Sequence, residues 1–150
     1  MTETDQITDV KVKQGNGTEG MVYLQGGKFL MGTDDKEGFP ADGEGPVREV
    51  ELHPFYIDET VVTNAKFANF IQDTGYQTEA ERFGWSFVFH LFVSVKTKSE
   101  DARSLHGVPW WLAINGADWR KPEGRDSSIE ERWDHPVIHV SWNDAVVLRK

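Results

Sequence analysis

The chain has 150 residues, 38% of them apolar, with a formal charge of −9 and no cysteine. Without cysteine there is no disulfide, no thiolate zinc site and no cysteine nucleophile, and the charge sets the chain against nucleic-acid phosphates. Six Trp, nine Phe and three Tyr still supply buriable area for one loop-rich α+β domain, and no apolar run approaches the ~18 residues of a membrane span.

In chain order, residues 1–20 are polar, carry Gly15, Gly17 and Gly20, and read as a flexible tail. The acidic start lacks the basic and apolar parts of a signal peptide, so a cytoplasmic protein is expected. Residues 21–25 and 28–31 read as strands of a hairpin turning at Gly26-Gly27. An acidic loop over 32–46 follows, and strand character returns over 47–58, with Pro54 placing a break or an edge. Thr63 or Asn64 caps a helix to about Thr74, with Phe67, Phe70 and Ile71 at helical spacing and Gly75 as the stop. Residues 78–82 add one turn, 86–93 a strand, 94–107 a polar surface loop. An extended aromatic stretch over 108–114 and a loop over 115–131 come next. Alternation over 135–142 predicts a closing strand, and Ser141 with Asp144 three residues later predicts the cap of a further helix. The order is not βαβ, so a doubly wound sheet is not expected.

Candidate chemistry is sparse. His135 and His139 have the spacing of a helical metal pair, but Pro136 forbids that helix, so hydrogen-bonding roles are expected. Asp34, Asp35, Glu37, Asp42 and Glu44 do not match a calcium loop and read as a solvated turn. Glu79 and Glu81 diverge on a helical turn, which argues against an acid–base pair. Ser86 and Ser141 stand in no Gly-x-Ser-x-Gly or ordered Ser/His/Asp pattern. Trp110-Trp111 reads as core and edge packing.

Taken together, a series of short motifs is more specific. Gly26-Gly27-Lys28-Phe29-Leu30-Met31-Gly32, Asp42-Gly43-Glu44-Gly45-Pro46, Phe55-Tyr56-Ile57-Asp58, Val62-Thr63-Asn64, Thr78-Glu79-Ala80-Glu81 with Phe83-Gly84, Pro109-Trp110-Trp111, Gly116-Ala117-Asp118-Trp119-Arg120 with Pro122-Glu123-Gly124, and His135 to Ala145 occur in this order. The series resembles the formylglycine-generating enzymes, the sulfatase-modifying factor family, in their bacterial cytosolic form. The resemblance implies an α+β, C-type-lectin-like fold low in regular secondary structure, in a single domain about twice this length. It implies oxidation by dioxygen of the cysteine in a Cys-x-Pro-x-Arg motif of sulfatase polypeptides, with copper held by two cysteines and a structural calcium. In the family these metal ligands lie beyond the point where the match lapses at Val146.

Residues 21–150 are therefore expected to be the N-terminal portion of an incomplete domain, binding neither copper nor calcium and inactive as an oxidase alone. A separately encoded C-terminal half is one further expectation, and a non-catalytic sulfatase- or peptide-binding paralogue is the alternative. For substrate contact, the resemblance carries over only to Ala80 and Trp85. Trp85 stands where some relatives have an acid facing the substrate arginine. Its indole offers a face to guanidinium in place of a charge, with packing as its plainer use.

Overall fold

Apolar residues on both sides of the acidic loop pair into a ribbon. The computed structural model describes residues 17–148, so most of the expected tail lies outside the described residues. The chain divides into two units, one ending at Thr60 and the other starting at Val61. In the first, β1 (Met21–Leu24) and β2 (Gly27–Met31) do not form a hairpin with each other. Instead β1 pairs antiparallel with β4 (Phe55–Asp58), and β2 with β3 (Arg48–Leu52). One register runs through both pairs, from Met21 opposite Asp58 to Met31 opposite Arg48. The interruption falls at Pro54, which has no N–H for the ladder. Across the ribbon, a side chain on Gly26 (φ 72°) would run into the Leu52 carbonyl oxygen. Gly26 thus permits a close crossing inside a continuing strand, and the reversal is made by the acidic loop.

The carboxylates of that loop serve its own backbone. Asp34 accepts from the Val47 N–H, Asp35 from Glu37 and Glu44 from Phe39, each at 3.0 Å. None of residues 17–60 is buried. Two strands alone make a marginal sheet, and Phe29, Leu30, Met31, Phe55, Tyr56 and Ile57 remain exposed on it.

The second unit has two apolar clusters. Helix α1 (Asn64–Thr74) starts at Thr63, whose hydroxyl accepts from the Lys66 N–H, and stops at Gly75 with φ 64°. Its buried stripe of Phe67 and Ile71 packs with Trp119 and Ile129, the Trp119 ring standing edge-on to Phe67 at 5.2 Å. The second cluster underlies an antiparallel sheet. Strand β5 (Trp85–Phe89) pairs with β7 (Trp111–Asn115), and β7 also pairs with β6 (Ala102–Ser104). Val88, Leu112 and Ile114 point to the buried side with Val93 and Ala117.

Two further expectations are corrected. The polar stretch over 94–107 contains helix α3 (Val95–Glu100) and β6. Ser94 caps α3, and Asp126 accepts from the Ser94 and Thr97 hydroxyls, a tertiary bond that turns a polar sequence into an ordered one. Residues 135–142 form no strand. They make one bridge, Thr63 to Pro136, and His139 has φ 59°, which no strand tolerates. Residues Ser141 and Asp144 do cap helix α4 (Trp142–Leu148), with Ser141 N–H to Asp144 Oδ2 at 2.8 Å and Asp144 N–H to Ser141 Oγ at 3.1 Å. Mixed helices with small antiparallel sheets place the fold in the α+β class. No helix among the described residues is long and apolar enough to cross a membrane.

Candidate functional site

Two capping devices and one strained residue build a cleft at the edge of β5. Helix α2 (Glu79–Phe83) opens with a full capping box, in which Thr78 Oγ1 accepts from the Glu81 N–H and Glu81 Oε2 accepts from the Thr78 N–H. Gly84, at φ 73°, ends the helix and turns the chain directly into β5. That sharp turn brings Ala80, 8% exposed, beside Trp85. The opposite wall comes from His139, Val140 and Ser141, and Glu79, Phe83, Ser86 and Phe87 complete a cavity of about 260 Å³. The two residues expected to contact substrate, Ala80 and Trp85, therefore line one cleft.

His139 is held from both ring nitrogens. The Pro122 carbonyl oxygen lies 2.8 Å from Nε2 and can only accept, so Nε2 carries the proton. Nδ1 then accepts from the Ser86 hydroxyl at 2.8 Å. Burial holds the imidazole below its ordinary pKa, against an opposing pull from the Pro122 carbonyl. With both nitrogens engaged, His139 has no lone pair to offer a metal, and His135 lies exposed beside Asp134. The Ser86–His139 contact is one that sequence reasoning missed, because its 53-residue separation leaves no local pattern.

The acidic residues of the cleft are occupied. Glu79 receives the Asn143 amide at 2.9 Å and lies 3.5 Å from Arg82. Hydrogen bonds from Ser141 and Asn143 keep its carboxyl below the usual range. Glu81 faces the other way, capping Thr78 and pairing with Arg120 at 2.6 Å. The two carboxylates diverge, as their spacing implies.

Behind the cleft Asp144, completely buried, accepts from the Tyr76 hydroxyl (2.8 Å), the Glu79 N–H (3.0 Å) and the Ser141 N–H (2.8 Å). It fastens the start of α4 to the start of α2, so the two walls share one anchor.

Trp110 and Trp111 are not core residues, since both stay more than two-fifths exposed. Trp111 stands edge-on to Phe89 at 5.9 Å and lines a second apolar cavity of about 390 Å³ with Phe87 and Leu105. Phe87 borders both cavities, which makes them neighbours along β5. A larger cavity of about 510 Å³ near Asp126 and Arg132 is less suited to a ligand. Its Asp126 is taken up by Ser94 and Thr97, and its Glu123 by Arg132.

Comparison with known proteins gives this cleft a context. Residues 6–148 match the model of the sulfatase-modifying factor enzyme 1-like domain. A formylglycine-generating enzyme of Thermomonospora curvata is 56% identical over 128 residues, covering 85% of this chain and 42% of the relative. One from Streptomyces coelicolor is 56% identical over 133 residues, covering 89% and 42%. A protein of Bos taurus named inactive C-alpha-formylglycine-generating enzyme 2 is 51% identical over 132 residues, covering 87% and 43%. The chain thus spans about two-fifths of the length of these relatives. With the family model matched along nearly all of its sequence, the chain belongs to the sulfatase-modifying factor enzyme 1-like family.

Proposed function

We propose that this chain is the N-terminal part of a formylglycine-generating enzyme and supplies one wall of a groove that receives the Cys-x-Pro-x-Arg segment of a sulfatase polypeptide. The observation that carries this reading is the convergence of Ala80 and Trp85 on one open cleft, walled by the rigidly held His139. In this reading the fold is C-type-lectin-like, and the bacterial pattern of its motifs supports a cytoplasmic setting. Such a chain is a substrate-binding half without oxidase activity of its own.

The family's metals do not fit the residues of this chain. Copper held by two thiolates requires cysteines, and there are none. Among the described residues no three His, Asp or Glu side chains converge as a calcium or copper site would need. What the chain's own residues do is bind and orient: Ala80 leaves room, Trp85 and Phe87 line the cleft with apolar surface, and His139 stiffens the opposite wall.

A second reading is a non-catalytic, peptide-binding paralogue of the same fold. The identity of 51–52% to proteins named inactive formylglycine-generating enzyme 2 supports it. Both readings require the groove, and both are tested by titrating a Cys-x-Pro-x-Arg peptide into the chain. Saturable binding that Ala80→Leu weakens about tenfold, the loss of roughly 1.4 kcal/mol of contact, with circular dichroism unchanged, is the expected result. A flat isotherm excludes both. Oxygen consumption with copper and peptide should match the blank; turnover would remove the paralogue reading and the claim of inactivity together.

A further inference from the structure

Strand β5 lies at the edge of its sheet, whose order is β5–β7–β6. An antiparallel neighbour bonds only every second residue of a strand, and the residues between turn their N–H and C=O groups the other way. The Gly116 N–H donates to the Gly84 carbonyl at 2.8 Å, and the His90 N–H to the Trp110 carbonyl at 2.9 Å. Between these two bonds, the residues of β5 committed to β7 are Ser86, opposite Ile114, and Val88, opposite Leu112. The far side of β7 agrees. Its Asn115 N–H donates to the Asp101 carbonyl at 3.0 Å, so Asn115 and Ala113 are spent on the β6 side. Trp85 and Phe87 therefore direct their main-chain groups out of the sheet.

Among the described residues no hydrogen bond engages those groups of Trp85 or Phe87. The next outward residue, Phe89, is used, since its carbonyl accepts from the Phe92 N–H at 3.0 Å. At the other end Gly84 turns the chain into α2. The open edge is thus two outward residues long, and both line the cleft with Ala80. Unpaired edge groups of this kind are a template for one more strand.

We propose that the groove takes its Cys-x-Pro-x-Arg segment by strand addition: the segment lies antiparallel along β5, and its two variable residues pair through their main chains with Phe87 and Trp85. This rests on the reading that the cleft receives such a segment. The two variable residues are two apart in the motif, the spacing of Phe87 and Trp85. The proline between them has no N–H, and a strand tolerates it only where that nitrogen points away from the partner. Pairing the variable residues with β5 puts it there; the opposite phase would set the proline nitrogen against β5 and lose a bond. The antiparallel direction carries the arginine past Trp85, to the end of the cleft bordered by Ala80 and Glu79. Main-chain pairing is indifferent to side chains, a physical reason why these two positions of the motif can vary.

The test uses the unaltered full chain and the peptide Cys-Ser-Pro-Ser-Arg, capped at both ends, with three singly N-methylated forms. N-methylation of either serine removes a proposed donor and should weaken binding about tenfold or more. N-methylation of the arginine, whose N–H faces away, should change it less than about threefold. Amide hydrogen exchange gives a second readout. In the free chain the Ser86 and Val88 amides should exchange slowly and the Phe87 amide fast, and saturating peptide should slow Phe87 selectively. Peptide binding that leaves the Phe87 amide unprotected, or equal losses from all three methylations, overturns strand addition and leaves the groove in place. A Phe87 amide already protected in the free chain overturns it as well. Absence of binding by the unmethylated peptide overturns strand addition and the groove together.

Discussion

Three donors converge on the Asp144 carboxylate: the Tyr76 hydroxyl and the backbone N–H groups of Glu79 and Ser141. Because Asp144 is completely buried, removing it strands those donors without water, at about 1–3 kcal/mol for each left unsatisfied. Asp144→Ala should therefore cost about 3 kcal/mol or more in urea unfolding, and Asp144→Asn less, since the amide oxygen still accepts. A loss below about 0.5 kcal/mol, the range of an ordinary surface change, would mean that this carboxylate does not tie α4 to α2. At this scale the local half of the interaction is visible in sequence, because Ser141-x-x-Asp144 is a capping pattern. The other half is not, since Tyr76 and Glu79 lie more than 60 residues away. Ser86 and His139 present the same difficulty, and so does Arg103 over Trp85, where Asp101 to Ser104 read only as part of a polar loop.

Among the elements, α1 was legible from end to end because its signals are local: Thr63 caps it, Phe67 and Ile71 repeat at helical spacing, and Gly75 stops it. A side chain placed on Gly75 would meet nothing within 4 Å, so any penalty there is purely that of the left-handed backbone. Gly75→Ala should cost about 1–2 kcal/mol, and Gly75→Asn clearly less. An unchanged urea midpoint for the alanine variant would show that the end of α1 is frayed rather than capped. Helix α3 could not be seen in the same way. Its sequence is polar, and the acceptor for its Ser94 and Thr97 hydroxyls is Asp126 from a distant loop. The ribbon's pairing is hidden from the sequence for a related reason. Gly26-Gly27 is a good turn signal, yet strand partners are chosen by the whole register, and that register runs across the long acidic loop.

For the whole molecule the exposed apolar surface dominates. Leu30, Phe39, Phe83, Leu91, Phe92 and Trp142 are each more than three-fifths exposed, far more than scattered surface residues. A hydrophobic dye such as ANS should brighten strongly on the native chain at neutral pH. Fluorescence no higher than with a compact control protein would show that this surface is covered in solution. In the acid range the pH response is set by groups that are held below their ordinary values. Burial keeps His139 below its ordinary value of 6.5, so below that pH the unfolded chain binds a proton that the folded chain resists. Glu79 and Asp126 are held below the usual carboxylate values by hydrogen bonds, so their contributions fade further into acid. The urea midpoint should fall as pH drops below about 6.5, and His139→Asn should flatten the first part of that fall. A midpoint that rises or stays level towards pH 5 would contradict the burial of this imidazole.

Sequence alone determined the features whose causes are local or cumulative. These are the α+β class, the capped helices around Thr63 and Ser141, the absence of cysteine chemistry, and membership of a family carried by many short motifs in order. Only the tertiary structure decided what distant residues do to one another. It set the ribbon's pairing, joined Ser86 to His139, buried Asp144 between two helix starts, and laid Arg103 on Trp85. The physical reason is the same throughout. A cap or a helical stripe is a free-energy preference between neighbours in the chain, whereas a hydrogen bond or a cation–π contact depends on separation in space, which packing sets only after the elements have met.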